Sequence, residues 1–122
     1  MPTRKDEAEG EALLRGTLDL LILRILRWGS QHGQGIARAI QRQSDEVFTV
    51  DHGSLYLALQ RLEEKKWISA KWGTSDSNRR ARFYTLTAKG RDQLVKKANQ
   101  WRRVAAAISR ILGTDESTES EA

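Results

Sequence analysis

The chain has 122 residues, of which 39% are hydrophobic and 30% charged, with a net charge of +5 and no cysteine. That length and apolar share suit one modest hydrophobic core, and the lack of cysteine excludes disulfides, thiolate nucleophiles and cysteine metal sites. The longest apolar block, Leu20 to Leu23, falls far short of the roughly 20 residues of a membrane span and lacks a signal-peptide flank, so a soluble chain of the reducing cytoplasm is expected, with no membrane partner.

Residues 1–12 are polar, hold the only proline and show no periodicity, which predicts a flexible arm. From Thr17 to Trp28 the segment TLDLLILRILRW sets Leu18, Leu21, Ile22 and Ile25 on one helical stripe. Leu20, Leu23 and Leu26 are apolar on other faces, so this helix is covered from more than one side, and a second subunit is expected to supply part of the cover. Gly29 and Ser30 end it. After the HGQG turn, Ile36, Ala37 and Ile40 mark a shorter helix ending near Gln43. Asp19, the one acid in the apolar first helix, is expected to hold a local structural partner.

Asp51 suits an N-cap, and Leu55, Ala58, Leu59 and Leu62 follow at i, i+3, i+4 and i+7, one apolar stripe of a third helix. Its remaining face carries His52, Ser54, Tyr56, Leu57, Gln60 and Arg61. A tyrosine and a leucine beside an amide and an arginine near a helix N-terminus suit base edges and thymine methyls in a major groove, where a solvated helix would show Glu and Lys. His52 is placed to touch phosphate or to cap the helix.

Beyond Lys66 the period changes to two. Ile68, Ala70 and Trp72 alternate with polar residues, and Phe83 to Leu86 alternate on the return, so two antiparallel strands are expected around the loop GTSDSNRR. Gly, Ser, Asp and Asn adopt turn conformations at low cost, which lets the loop protrude. Arg79, Arg80 and Arg82 stand where it rejoins the strand, Arg80 and Arg82 on one side and Arg79 on the other. Such a ribbon fits a phosphate backbone or a minor groove, and the planar guanidinium fork binds phosphate bidentately. The charge is concentrated here: residues 65–103 hold twelve Lys or Arg against Asp76 and Asp92, a local charge of +10. A basic segment beside a neutral remainder suits a polyanion, nucleic acid before an anionic lipid surface.

Thr87 is a second cap. Leu94, Ala98, Trp101, Ala105, Ile108 and Leu112 then recur at spacings of 4, 3, 4, 3 and 4, a heptad seam on a helix too long for the preceding domain to cover. A homodimer is expected, with Leu20 and Leu23 of the first helix in the interface. Trp101, at the middle of the seam, would face its own mate; it is packing material or one wall of a cleft between subunits. Residues 114–122 carry Asp115, Glu116, Glu119 and Glu121 and no base, an acidic tail expected to be disordered.

The fold expected is mainly α with a small β-hairpin: a winged helix-turn-helix domain at 13–87 and a dimerisation helix at 88–113. Within it, GSLYLALQRLEEKKWI resembles the recognition-helix signature of PadR-type transcriptional regulators, usually Gly-Ser/Thr-Leu-Tyr-Pro-Ala-Leu-x-Arg-Leu-Glu. RRARFYTLTAKG is similar to the family's wing-to-helix passage, and RGTLDLLILRIL with HGQGI to its first two helices, so the likeness spans about residues 13 to 112. Leu57 stands where the family usually has proline, Lys66 where it has glycine, and Gln34 where an aromatic is common. The resemblance implies a dimer built on the C-terminal helix, and in some relatives the sensing of planar aromatic ligands.

The function expected is therefore sequence-specific binding of double-stranded DNA as a homodimeric repressor on an inverted repeat. The alternative is a winged-helix module that docks an acidic protein or RNA through the basic hairpin. Catalysis is not expected: His32 and His52, the only histidines, lie in a turn and at a helix start, without metal spacing or a phosphate loop, and no cofactor is implied.

Overall fold

The computed structural model describes residues 16–113. The expected N-terminal arm and acidic tail lie outside the described residues. In chain order the elements are α1 (16–26), β1 (Gln31–His32), α2 (Gly33–Gln43), α3 (His52–Glu64), β2 (Ile68–Thr74), β3 (Arg80–Leu86) and α4 (Ala88–Leu112). The first helix stops at residue 26, two residues before Trp28, where carbonyls of its last turn accept from the amides of Arg27, Trp28 and Gly29.

Each predicted cap is in place. The Asp51 carboxylate accepts from the Ser54 amide at 2.8 Å and opens α3. The Thr87 hydroxyl accepts from the Gly90 amide at 3.0 Å and itself donates to the Lys66 carbonyl at 2.8 Å, tying the start of α4 to the end of α3. His32 caps α2, its Nδ1 accepting from Gly35 at 2.9 Å, a role that composition alone did not suggest. At the end of α3 the amides of Lys66 and Trp67 donate to the carbonyls of Glu63 and Leu62, which closes the helix with a reversed final turn. Lys66 occupies the left-handed position of that turn, with φ of 64°. Glycine in the resembling family thus answers a backbone demand that Lys66 meets here under strain.

The sheet has three strands in the order β1-β3-β2, one more than the expected hairpin. The extra strand is two residues long, Gln31 opposite Tyr84 and His32 opposite Phe83, too short to leave a periodic trace. The hairpin strands are longer than the alternation suggested. They pair from Ile68 opposite Leu86 to Thr74 opposite Arg80, leaving only residues 75–79 as the loop. Opposed residues share a face, so Ile68, Ala70, Trp72 and Thr74 look the same way as Leu86, Tyr84, Arg82 and Arg80.

The core gathers Leu18, Ile22, Leu23 and Leu26 of α1, Ile36 and Ile40 of α2, the Leu55–Leu62 stripe of α3, Ile68, Tyr84 and Leu86 of the sheet, and Leu94 of α4. Full burial of each large side chain is worth roughly 1.5 to 3 kcal/mol, so this cluster fixes the angle between α3 and the hairpin. Gly90 lets α4 dock: a Cβ there would lie 2.0 Å from the Trp67 carbonyl oxygen, a backbone atom with no room to move aside. No helix among the described residues is long and apolar enough to cross a membrane.

Candidate nucleic-acid interface

The hairpin runs out of the core as it approaches its tip. On its inner face Ile68 and Leu86 are buried, while Trp72, Thr74, Arg80 and Arg82 are exposed, so an apolar face becomes a cationic one within three residue pairs. Between this face and the first turns of α3 lies an open cleft of about 470 Å³. His52, Tyr56, Arg79, Arg80 and Arg82 all line it, which unites five of the nine residues expected to contact DNA. Among the described residues, no Asp or Glu lines it.

The three arginines differ in what holds them. Arg82 donates from Nη2 to the Glu63 carboxylate at 2.9 Å, a pair about two-fifths exposed, and its guanidinium also lies over the Tyr84 ring. Burial raises the Tyr84 phenol above the ordinary tyrosine range, with the Arg82 charge opposing the rise. The Arg80 guanidinium lies over the Trp72 ring, 4.9 Å from its centroid. Among the described residues, neither Arg79 nor Arg80 has a carboxylate at ion-pair distance.

On α3, Tyr56, Leu57 and Gln60 are exposed as expected, the first two at 61% and 60%. Tyr56 is therefore not a core residue. Ser54 is half-buried, and its hydroxyl donates to Asp51 at 2.9 Å, so it serves the cap. Arg61 differs from its expected role. Its guanidinium turns inward to Asp19 at 2.8 Å, the local partner that Asp19 was expected to have, and the pair leaves the outer face of α3.

Sequence reasoning passed over Trp72, His32 and the wing serines Ser75 and Ser77, which also line the cleft. Trp72 was legible as a strand residue, but only the register places it in phase with Arg80 and Arg82. A smaller polar cavity of about 300 Å³ adjoins the wing tip on the α2 side, where Arg38 and Arg42 stand one helical turn apart.

The expected interface residues divide. Leu23 and Leu94 are at 0% and 4% exposure, both enclosed by their own chain, so they belong to the core and not to an intersubunit seam. A hydrophobic period shows that a residue is covered but not by which chain. Leu20, Ala98 and Ala105 are half-buried, while Trp101, Ile108 and Leu112 are exposed at 54%, 51% and 57%. Val104 and Ile111 widen that apolar surface. Leu20, Leu21 and Arg24 of α1 with Leu94, Ala98, Trp101 and Arg102 of α4 enclose a groove of about 220 Å³. Among the described residues no group of three or more His, Asp or Glu is placed to hold a metal ion.

Residues 22–96 match the model of the transcriptional regulator PadR-like family. A transcriptional regulator from Clostridium thermocellum is similar at 26% identity over 84% of this chain and 99% of its own, with a TM-score of 0.75. A PadR family transcription regulator from Clostridium difficile is 33% identical, over 79% of this chain and 98% of its own, with a TM-score of 0.66. Bacillus subtilis PadR, solved in complex with operator DNA, shares the fold at 24% identity and a TM-score of 0.58, over 66% of this chain and 46% of that one.

Proposed function

This chain belongs to the PadR-like family of transcriptional regulators, and on that premise we propose that it binds double-stranded DNA sequence-specifically, as a homodimeric repressor of the cytoplasm. One observation carries the reading: the first turns of α3 and the arginine-bearing face of the hairpin form the two walls of a cleft that, among the described residues, no Asp or Glu lines. A duplex backbone strand fits between them, with α3 in the major groove and the wing at the adjacent minor groove. Tyr56, Leu57 and Gln60 are the base readers; His52, Arg79, Arg80 and Arg82 hold phosphate. The operator complex of Bacillus subtilis PadR supports DNA as the partner of this shared fold.

The second copy is the cover for α4. This helix is 25 residues long, and its outer half carries Trp101, Val104, Ile108, Ile111 and Leu112 exposed. Their burial in a two-fold seam outweighs any exposed ion pair, at roughly 1.5 to 3 kcal/mol for each large side chain against about 0 to 1. A two-fold axis sets the two α3 helices on half-sites about 34 Å apart or a multiple of it, so the operator is an inverted repeat. The groove between α1 and α4 that Trp101 helps to line is the place for a small aromatic ligand that releases the DNA.

The test is a gel shift with the DNA upstream of the protein's own gene, repeated with unrelated duplex and with RNA of the same sequence. Tight binding to the first alone is expected. With each of the three arginines neutralising one phosphate in each protomer, the slope of log K against log salt should lie near −5. Equal affinity for RNA and both duplexes would refute sequence-specific regulation.

A further inference from the structure

Trp72 is 56% exposed, yet it lies on the face of β2 whose other end, Ile68, is 2% exposed. It stands beyond the reach of the core, so packing within its own chain does not account for a tryptophan here. Register puts it directly opposite Arg82 and diagonal to Arg80, whose guanidinium it carries at 4.9 Å. It lines the same cleft as Tyr56 and His52 at the start of α3.

A ring face attracts a guanidinium without neutralising it, and among the described residues no carboxylate lies at ion-pair distance from Arg80. Arg80 is thus held without being neutralised, whereas Arg82 is held by a carboxylate. A restrained cation loses less conformational freedom on binding phosphate, which is the advantage of preorganisation. The uncovered part of the indole also offers apolar area in a cleft otherwise rich in cations. In an intact duplex the bases are paired and stacked, so the apolar surface that a ribbon meets along the backbone is the deoxyribose.

We propose that Trp72 belongs to the nucleic-acid contact: it positions Arg80 for a phosphate and packs its exposed ring against the neighbouring deoxyribose. This inference rests on the duplex-binding reading above. Trp72 acts on phosphate through Arg80 and on the sugar directly, so its removal lowers both affinity and salt dependence.

The experiment measures affinity for the upstream duplex across a salt series, and tryptophan emission on titration with it, for wild type, Trp72→Phe, Trp72→Ala, Arg80→Ala and the Ala/Ala double variant. Melting curves confirm that each is folded. Trp72→Phe keeps an aromatic shelf and should bind within about threefold of wild type, while Trp72→Ala should lose roughly tenfold. Trp72→Ala should also flatten the salt slope as Arg80→Ala does, by about one unit for each phosphate no longer engaged, and the double variant should be weaker than Arg80→Ala by less than the full cost of Trp72→Ala alone, the remainder being the sugar contact. The emission change seen in wild type should be much reduced in Trp72→Phe. Wild-type affinity and slope in Trp72→Ala, an undiminished emission change in Trp72→Phe, or tighter binding to the single strand than to the duplex would each overturn the proposal. If the wild-type protein binds no duplex at all, the DNA reading fails and this inference with it. If wild type binds and only the Trp72 variants behave as wild type, this inference alone fails.

Discussion

Arg61 donates from Nη2 to Asp19 Oδ1 over 2.8 Å and so joins α3 to α1 across 42 positions of sequence. The carboxylate is the better shielded partner, at 13% side-chain exposure against 31% for the arginine. Removing one partner leaves a shielded charge without its counter-ion, a loss that partial solvent access reduces but does not abolish. Asp19→Ala should therefore lower stability by about 1 to 2 kcal/mol, and a double-mutant cycle with Arg61→Ala should show positive coupling. The salt slope of DNA binding should be unaffected by Arg61→Ala. A flattened slope would show that Arg61 leaves Asp19 for the DNA.

Glu63 sets how available Arg82 is. The pair at 2.9 Å lies at the edge of the cleft, and a phosphate must compete with the carboxylate for the same guanidinium. Glu63→Gln retains the shape and a hydrogen-bond acceptor but removes the opposing charge. Affinity for duplex should rise a few-fold, because phosphate no longer competes with a carboxylate for Arg82. Unchanged affinity in titrations at low salt would show that Glu63 does not hold Arg82 back from phosphate.

Much of this arrangement was legible because short-range physics dominates it. The Leu55–Leu62 stripe, the caps Asp51 and Thr87 and the change of period after Lys66 each depend on neighbours within a few positions, and each appears where the spacing put it. What escaped depends on contacts between distant segments. The pairing of Arg61 with Asp19 turned a presumed base reader inward, and hairpin register carried Trp72 into the cleft. Leu23 and Leu94 show the limit of apolar patterning most directly, since such a pattern marks residues that are covered and is silent on the source of the cover.

Lys66 carries a backbone strain that one substitution should relieve. Its φ of 64° lies in the left-handed region, where a Cβ is disfavoured by about 1 to 2 kcal/mol and glycine is not. Both amide hydrogen bonds of the closing turn use backbone atoms alone and survive the change. Lys66→Gly should raise stability by about 1 kcal/mol after the greater unfolded-state freedom of glycine is counted. Denaturant midpoints decide it, and a lower midpoint would mean that the lysine side chain contributes more than the strain removes.

The acid limb of stability should report the cap of α3. The Asp51 carboxyl lies below the ordinary aspartate range, first because the Ser54 amide donates to it and next because the Ser54 hydroxyl does. With the folded value depressed, the unfolded chain takes up the proton first as pH falls. The contribution is therefore complete above about pH 5 and is lost as pH drops through about 3.9 toward the lower folded value. Asp51→Asn still caps but cannot titrate. Between about pH 5 and 3 the melting temperature of wild type should fall more steeply than that of Asp51→Asn. Parallel curves would remove Asp51 from the acid response.

Ile108 separates covering by a second copy from covering by the chain itself. It is 51% exposed on the outer half of α4, whereas Leu94 on the same seam is at 4% and packs within the core. A charge at position 108 leaves the single-chain fold intact but meets its own mate across a two-fold axis, where two like charges and lost apolar burial act together. Ile108→Glu should sediment as a 13.9 kDa monomer at micromolar concentration with little change in secondary structure. Its affinity for an inverted repeat should fall toward that for a single half-site, because linking two half-sites multiplies affinity without any new contact. Leu94→Ala should do the reverse, lowering stability by about 2 to 5 kcal/mol while the folded fraction keeps its stoichiometry. If Ile108→Glu sediments as wild type does, the outer half of α4 is not the seam, and the inverted-repeat geometry that depends on it falls too.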